Sequence, residues 1–139
     1  MICYFDTSLL VKLLVEDEPF RAEADRLWLE SSYVVCAEIG YVEARAALAS
    51  ARGGKRLTAR AFRTAKEELE TLWLQVSVVP VDDRLVREAG DLAENAALRG
   101  HGGVHLAAAL RAQAEVMATA DLDLARAARS QSLAVASPQ

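Results

Sequence analysis

Three carboxylates stand where the surrounding residues give a side chain reason to face inward. Asp6 follows the apolar run Ile2, Cys3, Tyr4 and Phe5 and precedes a helix-spaced set of leucines, Leu9, Leu10, Leu13 and Leu14. That order reads as a buried strand, a turn at the aspartate, then a helix. Asp121 repeats it, after an extended run from Val116 and before Leu122, Ala125, Arg126 and Arg129. Glu43 lies within a helical stretch, with Ile39, Gly40, Ala46 and Ala47 three and four residues away. Those neighbours place it on a small apolar face expected to pack inward, where a carboxylate needs a partner such as a cation or metal.

In an open parallel sheet, the carboxyl ends of the strands face the crevice where ligands bind. Two strand-end aspartates and one helical glutamate can converge there. Three oxygen donors of that kind suit Mg²⁺ or Mn²⁺, ions that activate water and neutralise charge during phosphodiester hydrolysis. Each aspartate equally suits a helix N-cap, with Thr7 and Ser8 assisting Asp6, and one group can do both. Asp123 reads as a first-turn acid favoured by the helix dipole, with an accessory ligand as the alternative. Glu38, beside Tyr41 and Val42, reads as a surface or edge acid.

Positioning these groups calls for an α/β fold. Strand-like runs at residues 2–5, 33–36, 76–81, 115–119 and 132–136 alternate with alanine-rich helical patterns, which predicts a three-layer α/β/α sandwich around a four- or five-stranded parallel sheet. Pro19 fits the first turn of a helix running through Trp28. Two long helices, 37–51 and 57–72, are broken at Gly53 and Gly54 with no strand between them, so they should form a hairpin protruding from the sheet. Asp82 or Asp83 should cap the next helix, which ends near Gly100 with Arg99 in its last turn.

The 139 residues, 53% hydrophobic and 26% charged, suit one globular domain spanning 1–139. A chain of this size buries roughly 70% of its unfolded surface. No apolar run approaches the ~20 residues needed to cross a bilayer, and the start lacks a basic secretory region, so no membrane association and a cytoplasmic location are expected. Cys3 and Cys36 fall inside strand-like runs and read as free thiols in the core. The net charge of −4 argues against a surface that coats nucleic acid. Yet residues 52–66 hold Arg52, Lys55, Arg56, Arg60, Arg63 and Lys66 and no acid. Arg56, Arg60 and Arg63 follow helical spacing, a cationic ridge suited to a phosphate backbone or to solvent.

Taken together, four segments resemble PIN-domain ribonucleases of the VapC toxin family over essentially the whole chain. Residues 4–13 resemble the family's first acidic motif, residues 41–48 its helical glutamate, and residues 119–125 its last acidic motif. Residues 98–109 resemble its Leu-Arg-Gly-x-Asp-Ala-x-His-Leu-Ala stretch, except that Gly102 stands at the aspartate. The resemblance implies a metal-dependent endoribonuclease, the toxin of a type II toxin-antitoxin pair, with Asp6, Glu43 and Asp121 as catalytic Mg²⁺ or Mn²⁺ ligands. It further implies an RNA substrate, contacted by Lys55, Arg56, Arg60 and Arg63, a cognate antitoxin and a homodimer. Leu48, Leu69, Leu72 and Trp73 on the hairpin would offer the antitoxin its groove.

Gly102 removes a negative charge from the expected site and puts glycine at a helix start, so metal affinity should drop. The alternative function is then a catalytically impaired PIN-fold module that binds antitoxin or RNA without cleavage. His101 is a poor substitute for a carboxylate around Mg²⁺ and a better one around Mn²⁺. His105, on an apolar helix, reads as a satisfied core histidine. A phospho-receiver would need a lysine near the last strand, and none follows Lys66; a phosphatase would want an aspartate where Ser8 stands.

Overall fold

A computed structural model describes residues 1–138. Its centre is a five-stranded, fully parallel sheet in the order β3-β2-β1-β4-β5. The strands are β1 (Ile2–Phe5), β2 (Tyr33–Ala37), β3 (Ser77–Val79), β4 (Val116–Ala118) and β5 (Ala134–Ala136). The seven described helices are α1 (Thr7–Leu14), α2 (Arg21–Glu30), α3 (Ile39–Gly53), α4 (Ala59–Trp73), α5 (Asp83–Ala96), α6 (Gly100–Arg111) and α7 (Leu122–Ser130). β1 lies in the middle, with Cys3 opposite Val34 on one side and Val116 on the other.

Side chains of a strand alternate between faces, and here both faces are covered. Tyr4, Val35 and Ala37 point into a core shared with α5, α6 and α7. Cys3, Phe5, Val34 and Cys36 point into the opposite core, beneath α1 and α2. Both cysteines are free and buried, as expected for core thiols. Burial pushes the Cys3 thiol up to about 11, which keeps it protonated and inert.

Two glycines allow layers to approach. A Cβ on Gly40 would run into Cys36 Sγ, so a side chain there would force the cysteine to shift. A Cβ on Gly103 would lie 2.6 Å from the Ala89 carbonyl oxygen, where α6 crosses α5.

The helical hairpin forms as expected and carries a third core. Ala44, Leu48 and Ala51 of α3 meet Ala65 and Leu69 of α4 and the end of α1 at Leu14 and Val15. Leu48 and Leu69 are therefore interior and offer no groove to a partner. Other boundaries move. Pro19 precedes α2, whose N-cap is Phe20 in a left-handed conformation. Asp82 rather than Asp83 caps α5, accepting from the Leu85 amide. α5 ends at Ala96 with Ala97 left-handed, so Arg99 lies outside it and becomes the N-cap residue of α6. An alanine gives no sequence signal for that stop, because the left-handed conformation normally falls to glycine or asparagine.

Candidate acidic site

β1 and β4 are adjacent and parallel, so their carboxyl ends emerge together, and the residues following them are Asp6 and, beyond Thr119 and Ala120, Asp121. Each aspartate caps the helix it introduces. Asp6 Oδ1 accepts from the Leu9 amide at 3.3 Å and from the Ser8 hydroxyl. Asp121 Oδ1 accepts from the amides of Asp123 at 2.9 Å and Leu124 at 3.2 Å. The cap and the strand-end reading therefore coexist in both.

Hydroxyl groups lace the two strand ends together. Thr119 Oγ1 donates to Asp6 Oδ2 at 2.6 Å and accepts from the Asp121 amide at 2.9 Å. Ser8 Oγ accepts from the Ala120 amide at 2.9 Å. Asp6 is 5% exposed. Burial pushes its carboxyl above the ordinary aspartate range, against the opposing pull of His105, Ser8, Thr119 and the Leu9 amide.

Glu43 joins this edge through Thr7. Thr7 Oγ1 donates to Glu43 Oε1 at 2.8 Å, and His105 Nε2 lies 2.6 Å from the same oxygen. The second oxygen, Oε2, is 3.8 Å from His101 Nδ1. The buried stripe of α3 runs through Gly40, Ala44, Leu48 and Ala51, so Glu43 sits one position beside it, its side chain 28% exposed. Burial raises its pKa, but His105, through its hydrogen bond first of all, then Thr7 and His101 outweigh that and hold it below the usual glutamate range.

His105 is the residue whose role sequence reasoning only half reached. It is a buried, fully partnered histidine as expected, with Nδ1 2.6 Å from the Tyr4 hydroxyl. Its other partner, however, is the candidate glutamate. The pattern around residue 105 signals burial, and nothing in it signals that Glu43, 62 positions earlier, lies across the interface.

Gly102 is the third residue of α6, buried within its first turn rather than at the cap. It has no left-handed backbone, and a Cβ there would find Leu98 Cβ at 3.6 Å, ordinary contact. Position 102 can thus carry a side chain. Asp123 is exposed and pairs with Arg126 at 3.1 Å, which fits the first-turn acid. Glu38 accepts from the Val81 amide and holds the chain after β3, an edge role.

Asp6, Glu43 and Asp121 supply hard oxygen donors, the chemistry that Mg²⁺ and Mn²⁺ take. Among the described residues, no group of three or more His, Cys, Asp or Glu side chains is close enough to hold a metal ion. The donor types therefore fit such an ion, and the described carboxylates are linked through hydroxyls rather than gathered around a point.

The basic ridge is split. Arg56 precedes α4, whose N-cap is Thr58, so it shares no helical face with Arg60 and Arg63. Its guanidinium pairs with Glu18 Oε2 at 3.0 Å and Asp17 Oδ1 at 3.3 Å, and Glu18 also takes buried Lys12 at 3.4 Å. Lys55, Arg60 and Arg63 are exposed. Gly53, at the tip of the hairpin, is ten positions beyond Glu43 on α3, or about 15 Å, and α4 carries Arg60 and Arg63 back from that tip.

The fold and this edge define a family. The PIN domain profile matches residues 3–130, and the chain belongs to that family. Within it the chain stands with the VapC-type toxins. Two curated relatives, ribonucleases VapC45 and VapC49 from two strains of Mycobacterium tuberculosis, are each 37% identical over 109 residues, covering 78% of this chain and 75% of the relative. Solved structures share the fold. VapC20 of M. tuberculosis, described as a sarcin-ricin-loop-cleaving toxin, gives a TM-score of 0.71 at 19% identity over 90% of this chain and 94% of its own. FitAcB of Neisseria gonorrhoeae gives 0.72 at 21% identity, covering 99% and 98%. VapBC2 of Rickettsia felis, bound to a promoter DNA fragment, gives 0.69 at 12% identity, covering 100% of each. Among the described residues no helix is long and apolar enough to cross a membrane.

Proposed function

We propose that this chain is a divalent-metal-dependent endoribonuclease, the toxin of a type II toxin-antitoxin pair. The observation that carries the reading is the lacing of Asp6 to the Asp121 strand end through Thr119, with Glu43 tied to the same edge through Thr7. The 37% identical relatives are ribonucleases, which supports that activity, and a solved toxin-antitoxin complex from Klebsiella pneumoniae of the same fold supports an antitoxin partner.

Asp6, Glu43 and Asp121 are the residues that would hold Mg²⁺ or Mn²⁺. Such an ion supplies a nucleophilic water at neutral pH and offsets charge at the phosphate. The chain's part is to present the carboxylates. Thr119 and Ser8 fix Asp6, Thr7 fixes Glu43 Oε1, and the Asp123 and Leu124 amides fix Asp121 Oδ1. Lys55, Arg60 and Arg63 would contact the RNA backbone, with Arg56 released from that role by its acidic partners. A groove lined by Leu13, Trp28, Leu29 and Leu72 suits an apolar antitoxin segment better than the interior leucines of the hairpin. A homodimer completes the reading, and a monomer mass by solution scattering would exclude it.

A second reading, the impaired module, is favoured by Gly102 and by the lack of a described three-ligand cluster. One experiment separates them: cleavage of a structured-RNA pool with Mg²⁺ or Mn²⁺ by the chain, Gly102→Asp and Asp6→Ala. We expect the chain to cleave, Gly102→Asp to cleave faster because position 102 has room for a side chain, and Asp6→Ala to be silent. Cleavage by Gly102→Asp alone selects the impaired module, and silence from all three overturns the ribonuclease reading.

A further inference from the structure

The buried chain of contacts behind Glu43 has a direction. The Ala37 amide donates to Tyr4 Oη at 3.0 Å and takes one lone pair of the phenol oxygen, which favours the Tyr4 O–H as donor to His105 Nδ1 at 2.6 Å. Burial pushes the phenol pKa well up, which keeps that proton on tyrosine. With Nδ1 accepting, the ring carries its proton on Nε2 and donates it to Glu43 Oε1 at 2.6 Å. Thr7 donates to the same oxygen.

We infer that His105, oriented by Tyr4, is a positioning residue that locks Glu43 in one orientation, with Oε1 occupied by two donors and Oε2 alone presented to the ligand. Three observations favour this over plain core filling. His105 lies almost wholly inside while Glu43 Oε2 turns toward exposed His101, so the contact runs from the core to the mouth of the crevice. Tyr4 belongs to β1, the same strand that ends in Asp6, so one strand sets both carboxylates. The ring also sits edge-on to Tyr4, with centroids 5.7 Å apart, which fixes its plane as well as its proton.

The inference rests on Glu43 being part of the acidic site, and the test keeps the two apart. Nitrogen-15 NMR of the unaltered chain should show His105 as the Nε2–H tautomer, and Tyr4→Phe should release that bias. A protonated Nδ1 in a neutral ring overturns the inference with no variant needed. Mn²⁺ affinity, read by electron paramagnetic resonance, should fall about 10-fold or more in His105→Leu, in line with the usual effect of losing a residue that orients a metal ligand. His105→Gln places an amide donor near the former Nε2 and should stay within about 3-fold of the parent, whereas His105→Asn, whose donor falls near Nδ1, should behave like leucine. Equal Mn²⁺ affinity in the leucine, asparagine and parent chains overturns the inference while leaving the metal site standing. If the parent chain binds no Mn²⁺, the metal reading fails, and the tautomer alone decides whether Glu43 is held as described.

Discussion

The acidic edge and the outer face of the helical hairpin both concentrate charge, and they hold it in opposite ways. At the edge, Asp6 and His105 are buried and each of their polar atoms has a fixed partner. On the hairpin, Arg60 and Arg63 extend into solvent, and even Arg56, which is paired, keeps a side chain 48% exposed. The same hairpin is as tightly packed inside as the sheet, with Leu48 and Leu69 fully buried. Charge at the edge therefore acts through position, and charge on the ridge acts through number.

The most forceful way to break this contrast is Asp6→Asn. Asparagine caps α1 as well as aspartate but lacks the charge. RNA cleavage should fall at least about 10-fold, because the ion that activates water and offsets charge at the phosphate loses one of its three carboxylates. Stability should respond to pH. The folded-state pKa of Asp6 is raised, so its ionised form is disfavoured by folding, and that penalty is present at neutral pH and disappears as pH falls below the unfolded value of about 3.9. Asparagine also gives up one hydroxyl bond from Thr119 or Ser8, so the pH dependence is the readout: the melting temperature of the variant relative to the parent should rise as pH is raised from 3 to 7. A constant difference across that range would refute the claim that this carboxylate is held at a cost.

Next in size is Glu43→Gln, with the opposite sign. Its folded-state pKa is lowered, so ionised Glu43 adds stability above the unfolded value of about 4.3, and that contribution is lost as pH falls through the folded value. Thermal melts from pH 7 to pH 3 should show the variant below the parent at neutral pH and converging with it in acid. Parallel curves would remove the distinction between the two carboxylates.

Smaller still is the joint change Lys55→Ala, Arg60→Ala and Arg63→Ala. It should leave the melting temperature alone, weaken RNA binding, and reduce the slope of log affinity against log salt by about 2, at roughly 0.7 per phosphate contact on a single strand. Arg56→Ala should add almost nothing to that slope, since its guanidinium is already engaged by Asp17 and Glu18. A loss for Arg56 equal to those of the others would erase the split in the ridge.

The sheet was largely legible because its signals are local. The alternating runs at β1, β2 and β4 carry their apolar residues in register with turns at Asp6 and Asp121, and a cap is read from one residue and the few after it. Glu43 as a candidate rests on a similarly local signal, though a three- and four-residue count puts it on the inward stripe when it sits beside it. What escaped was set by other parts of the chain. Arg56 looks helical because spacing cannot show that α4 starts only after Thr58, or that Asp17 and Glu18 approach from 39 and 38 residues away. His105 was placed in the core without its partners, since Tyr4 is 101 residues distant and no periodicity carries across that separation.

The central place of β1 also sets a schedule. β1, the first strand of the sheet in chain order, is flanked by β2 and β4, and Asp6 meets Thr119 at a separation of 113 positions. During synthesis, at about 5–20 residues per second, the amino-terminal half can gather around β1 and β2 well before β4 emerges. A chain cut short before β4 would therefore carry Asp6 and Glu43 without Thr119, which ties Asp6 to the Asp121 strand end.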